Sequence, residues 1–162
     1  MPPDQARFTV ENERLAEHNG GMEEIIYPRS PREQMAGWMH LPRYVDKIRL
    51  HLAEKLHPDY QPNFGKGFDE WWLKAVGVKH EEFIEVVRGS ITDGQVADWV
   101  QSRAAKSNAE KQMHREAMLD YPKAGDPAGQ GRLKMRKEQA GQGHRDDIRL
   151  FVDFIDADEK RI

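Results

Sequence analysis

Apolar residues recur along the middle of the chain at Met35, Trp38, Leu41, Val45, Ile48, Leu52 and Leu56. Steps of three and four trace one face of a 3.6-residue helix. Ser30-Pro31-Arg32-Glu33 precedes the run. It offers a hydroxyl N-cap, a proline for the first turn and a glutamate to close a capping box. The pattern predicts a long helix opening at Ser30 and ending near His57-Pro58. Pro42 lies inside it, where it removes a donor and crowds the preceding turn, so a kink or break is expected near Leu41.

Shorter helices follow. Phe68 to Val76 places Phe68, Trp71, Trp72, Ala75 and Val76 inward and stops at Gly77. His80 to Arg88 places Phe83, Ile84 and Val87 inward, with Gly89 as its C-terminal cap. Thr92-Asp93-Gly94-Gln95 is a second capping box, and the helix it opens could run to Leu119. Ile148, Phe151, Val152 and Ile155 fit a helix face. Ile148, Leu150, Val152 and Phe154 fit a strand nearly as well; the helical character of the other segments favours helix. The expected fold is all-α, a single compact helical bundle with long irregular loops and a short extended N-terminal arm. Its expected parts are an arm at 1–29, a helical core at 30–121, a flexible basic Gly-rich segment at 122–147, and a C-terminal helix at 148–162 packing on the core.

Composition narrows the function classes. The 162 residues suit one domain, and the 38% of hydrophobic residues, with 13 glycines besides, can supply a core. A net charge of −3 removes a general case for nucleic-acid or anionic-membrane binding. The absence of cysteine excludes disulfides, thiol nucleophiles and Cys-based metal sites. No apolar run approaches a membrane span and no leader is visible, so a cytoplasmic location is the expectation. The scattered histidines form no metal motif, and neither a metal nor a cofactor is expected.

Candidate chemistry concentrates on the first helix. At 100° per residue, His40, Arg43, Lys47 and His51 fall within about 80° of one another, opposite the apolar stripe. Asp46 lies to one side. Arg43 and Lys47 suit a carboxylate or phosphate, His40 can move protons, and Asp46 can orient it or act as base. The plain alternative is a solvated face of an amphipathic helix. Arg29 and Arg32 flank the helix start, where anions are favoured. Tyr60, Trp71 and Trp72 are candidates to line a pocket beside the charged face. Neighbouring tryptophans point about 100° apart, so one of the pair must meet a second element, a ligand or a partner.

Several of these residues also carry a family resemblance. Ser30-Pro31-Arg32-Glu33, Gly37, His40-Leu41-Pro42-Arg43 and Asp46-Lys47 with Arg49 resemble the opening of a small bacterial family known only as a domain of unknown function. The likeness continues through Pro58-Asp59-Tyr60, Gly67 with Asp69, Leu73 to Gly77, and Gly89 with Thr92-Asp93, and returns at Asp156-Ala157-Asp158-Glu159. It implies no activity, substrate or cofactor. It does fall on the charged residues of the first helix, which a core alone would not require.

Two functions are therefore expected, the first by a small margin. One is a helical domain binding a small anionic or polar ligand at His40, Arg43, Asp46 and Lys47, with an enzymatic role left open. The other is a non-catalytic interaction module, presenting an exposed tryptophan and the basic run Arg132, Lys134, Arg136 and Lys137 to a protein partner or a second copy. Nucleic acid is disfavoured.

Overall fold

The computed structural model describes residues 24–162, so the reading of the arm before Glu24 lies outside the described residues. Residues 24–30 run without regular structure. A minimal hairpin follows, with β1 (Gln34–Met35) antiparallel to β2 (Trp38–Met39) and Met35 facing Trp38 across it. Ala36 and Gly37 turn the hairpin, both at positive φ (52° and 79°), as a two-residue turn matching strand twist demands.

The helix expected from Ser30 thus begins only at α1 (Leu41–Leu52). The error has a clear origin. Hairpin partners separated by a two-residue turn also stand three apart in sequence, so Met35 and Trp38 mimic a helical step. Pro42 does not kink a helix; it sits in the first turn of one, where its missing N–H is not needed. Ser30 caps only a turn, accepting the Arg32 amide at 3.2 Å.

A 3₁₀ stretch at Pro58–Asn63 leads into α2 (Phe68–Val76), which Gly77 ends in the left-handed conformation (φ 71°). Helix α3 (His80–Arg88) matches the pattern. Helix α4 (Asp93–Arg103) opens on the Thr92/Gln95 capping box but does not reach Leu119. The chain breaks at Ala104, and Ser107 with Glu110 forms another capping box that opens α5 (Asn108–Leu119). The Gly-rich connection holds a further helix, α6 (Pro127–Gln139), with Asp126 accepting the Gly129 amide at 3.0 Å. The ambiguous C-terminal segment is helical, as α7 (Phe151–Asp158). The fold is all-α as expected, with seven α-helices and one two-stranded ribbon among the described residues. None of those helices is long and apolar enough to cross a membrane.

The main core joins the hairpin, α1, α2, α3 and α4 around Trp38, Tyr44, Ile48, Trp72, Phe83 and Val100. A smaller cluster of Leu133, Ile148, Phe154 and Ala157 holds α6 against α7. Met39, Met118 and Val152 form a third, tying the hairpin, α5 and α7 together beside Phe68 and Trp71. Between these clusters the packing leaves a cavity.

Candidate functional site

The cavity measures about 700 Å³, and α1, α2, α6 and α7 all contribute to its wall. His40, Arg43 and Lys47 line it and are buried. Arg43 and Lys47 lie one turn apart on α1, and His40 immediately precedes the helix at φ 77°. That left-handed conformation is uncommon for a side chain larger than glycine.

Buried cations need carboxylates, and two arrive from distant elements. Asp69, in the first turn of α2, is completely buried. One of its oxygens lies 2.6 Å from His40 Nε2, and the other accepts from Lys47 Nζ at 2.6 Å. The second oxygen also accepts the Gly65 amide at 3.0 Å. Gly65 stands at φ 73°, and a Cβ there would meet the His80 ring at 2.6 Å, so only glycine brings that amide to the carboxylate. Lys47 Nζ donates as well to the Asn63 carbonyl at 3.0 Å.

The second carboxylate is Glu159, which caps the end of α7. Arg43 grips it with two parallel bonds of 2.8 and 2.6 Å and donates to the Arg29 carbonyl at 3.1 Å. Tyr60 donates its hydroxyl to Glu159 at 2.8 Å, beneath the Arg43 guanidinium. Arg161 adds a contact of 2.5 Å to Glu159 and also donates to the Pro28 carbonyl.

These contacts fix the protonation pattern. Burial pushes the Asp69 carboxyl up, but Lys47 and His40 outweigh it and hold its pKa at about 2. Asp69 is therefore ionised and can only accept, so Nε2 of His40 carries the proton. Burial lowers the His40 pKa to about 4 against the pull of Asp69, with Lys47 and Arg43 assisting. The imidazole is neutral near pH 7, and its Nδ1 is a bare acceptor. That atom is buried and has no hydrogen-bond partner among the described residues. Burial also lowers the Lys47 pKa against the attraction of Asp69.

The remaining expected residues separate. Asp46 does not join His40. It takes two bonds from the Arg29 side chain (2.9 and 3.0 Å) and one from the Arg29 amide at 2.9 Å. Arg29 and Arg49 also share Asp93, which fastens residues 28–30 to α1 and α4. Arg32 binds Asp153 and, at 2.6 Å, Asp156 on α7. Trp72 is wholly enclosed in the main core and does not line the cavity. Trp71 does line it, edge-on to Phe68 and Tyr121 at 5.0 Å each. Tyr60 lines it too.

Sequence reasoning missed Asp69 and Glu159 as partners, although both stand in the segments that carried the resemblance. Their sequence separations from the cations, 22 and 116 residues, put the pairing beyond any helical spacing rule. Arg132 and Arg136 of α6, expected from the sequence to face a protein partner or a second copy, instead reach the cavity. Among the described residues, no three His, Asp or Glu side chains are grouped to hold a metal.

The shared network spans the chain from Arg29 to Arg161, and so does the family match. A family described as Domain of unknown function (DUF5069) matches residues 25–161. The chain belongs to the DUF5069 family. No curated protein matches it. The DUF5069 match takes in the hairpin, all seven helices and every residue of the His40–Asp69–Lys47 and Arg43–Glu159 groups.

Proposed function

We propose that this protein binds a small polar molecule in the cavity, and that the molecule donates a hydrogen bond to His40 Nδ1. The observation that carries the reading is that buried, unpartnered ring nitrogen, on a residue that lines a cavity of about 700 Å³. A buried acceptor without a partner costs free energy, about 1–3 kcal/mol, and a ligand donor would recover it. Asp69 supports the same role, because it fixes the ring orientation and the tautomer from the opposite side.

The electrostatics favour recognition over proton storage. Asp69 divides its charge between His40 and Lys47, so it stabilises an imidazolium poorly. Arg43 and Lys47 already face full carboxylates, and they serve to hold the His40 frame in place. The plain alternative of a solvated helix face holds only for its far end, since His40, Arg43 and Lys47 are buried and His51 alone of the four is exposed.

A thermal-shift screen of small hydroxylated and aminated metabolites tests this. At least one compound should raise the melting temperature by roughly 2–4 °C at saturating concentration. His40→Asn keeps a residue that tolerates positive φ but withdraws the ring nitrogen. The shift should vanish in that variant. A shift of equal size in His40→Asn would remove His40 from recognition.

A further inference from the structure

We propose that the ligand is a flat aromatic acid: a ring carrying a hydroxyl or amino donor at its inner end and a carboxylate at its outer end. The inference rests on the cavity reading above and adds the chemistry of the other two parts of the wall.

The inner requirement comes from His40. Its Nδ1 accepts, so the buried end of the ligand must donate. The middle requirement comes from the rings. His40 meets Phe68 edge-on at 5.8 Å, Phe68 meets Trp71 at 5.0 Å, and Trp71 meets Tyr121 at 5.0 Å. Tyr121 then stacks on Phe151 at 5.3 Å. All five line the cavity, and the four rings beyond His40 are only half-buried, so the wall keeps aromatic surface open to an occupant. A ladder of edge-to-face rings accommodates another planar ring in the geometry such pairs prefer. An aliphatic chain would gain only its burial there.

The outer requirement comes from α6. Arg132 and Arg136 stand one turn apart and both line the cavity. Neither has a carboxylate within 4.0 Å among the described residues. The cations deeper in the cavity, Arg43 and Lys47, are by contrast fully paired. Arg132 donates twice to the Tyr121 hydroxyl, at 3.1 and 2.5 Å, which leaves that phenol its own proton to donate. Asp158 is the acidic counterweight on this side. Burial and the neighbouring Glu159 push its carboxyl up against the pull of Arg136, and it forms no ion pair within 4.0 Å among the described residues. Two guanidinium groups without a carboxylate partner, one of them held by a phenol that can itself donate, suit a planar carboxylate.

The test is calorimetric titration of the full chain with 4-hydroxybenzoate, 4-hydroxyphenylacetate and 3-(4-hydroxyphenyl)propanoate, a series that varies the span between donor and acid. Side-chain ¹⁵N NMR of His40 is followed in parallel. At least one member should bind and shift the Nδ1 signal. Its analogue without the hydroxyl, and 4-ethylphenol without the acid, should each bind about tenfold more weakly or worse. Arg132→Ala with Arg136→Ala, both changes lying outside the cores, should erase the preference for the acid over the phenol. Equal binding of the hydroxyl-less or acid-less analogues overturns the proposal. If the whole series fails while some non-aromatic donor still shifts the His40 Nδ1 signal, the ligand class is wrong and the cavity reading stands. If nothing in either set moves that signal, both fall.

Discussion

Lys47 Nζ lies 2.6 Å from an oxygen of Asp69, and both groups are sealed from solvent. They come from different helices, yet each is the other's chief compensation for burial. Removing one partner leaves an uncompensated charge, which is far costlier than removing both. Asp69→Asn should therefore lower stability by about 3–5 kcal/mol in urea unfolding. Adding Lys47→Met to that variant should restore part of the loss, because the unpaired ammonium is then gone. A double variant as unstable as the sum of the two singles would show that the pair does not act as a unit.

Acid should weaken the fold in two windows. The folded His40 has its pKa lowered to about 4 from 6.5, so between those values the unfolded chain takes up a proton that the folded chain refuses. Its contribution is complete above about pH 6.5 and is lost as pH falls toward 4, with a slope of up to about 1.4 kcal/mol per pH unit. Asp69, lowered to about 2 from 3.8, loses its contribution over that lower range in the same direction. His80 and His114 are also lowered by burial and share the upper window. Denaturant midpoints measured from pH 7 to pH 4 should fall more steeply for the native chain than for His40→Asn.

Glu159 gathers Arg43, Tyr60 and Arg161 at the end of α7. Glu159→Ala strips a buried guanidinium of its carboxylate and should cost about 3–5 kcal/mol. Arg161→Ala removes a half-exposed partner and should cost about 1 kcal/mol. The two unfolding midpoints, compared at one pH, check the ranking.

The adjacent tryptophans should separate by experiment. Trp72→Ala opens a hole in the main core and should cost about 3–5 kcal/mol. Trp71→Ala alters the cavity wall, so it should cost less and weaken ligand-induced stabilisation more. Thermal melts of both variants, with and without the best ligand, distinguish the effects.

Local chemistry wrote several elements directly into the chain. The Thr92/Gln95 box, the Gly77 stop and most of the inward faces of α2 and α3 depend on residues within one or two turns and are present, but on α2 Leu73 is buried and Ala75, expected inward, is exposed. The all-α class followed from the same short-range periodicity. The hairpin at 34–39 escaped because a two-residue turn and a helical turn bring similar residue spacings to one side. Residues three and four apart share a helix face, which put Arg43 and Lys47 together in the sequence, while His40, expected on the same face, stands just before the helix in a left-handed conformation. Which acids meet them was decided only by folding. Asp69 and Glu159 reach them through the docking of α2 and α7 onto α1, and Asp46, the acid nearest in sequence, is taken by Arg29. Charge pairing depends on distance in space, and helical periodicity specifies that distance only along one helix.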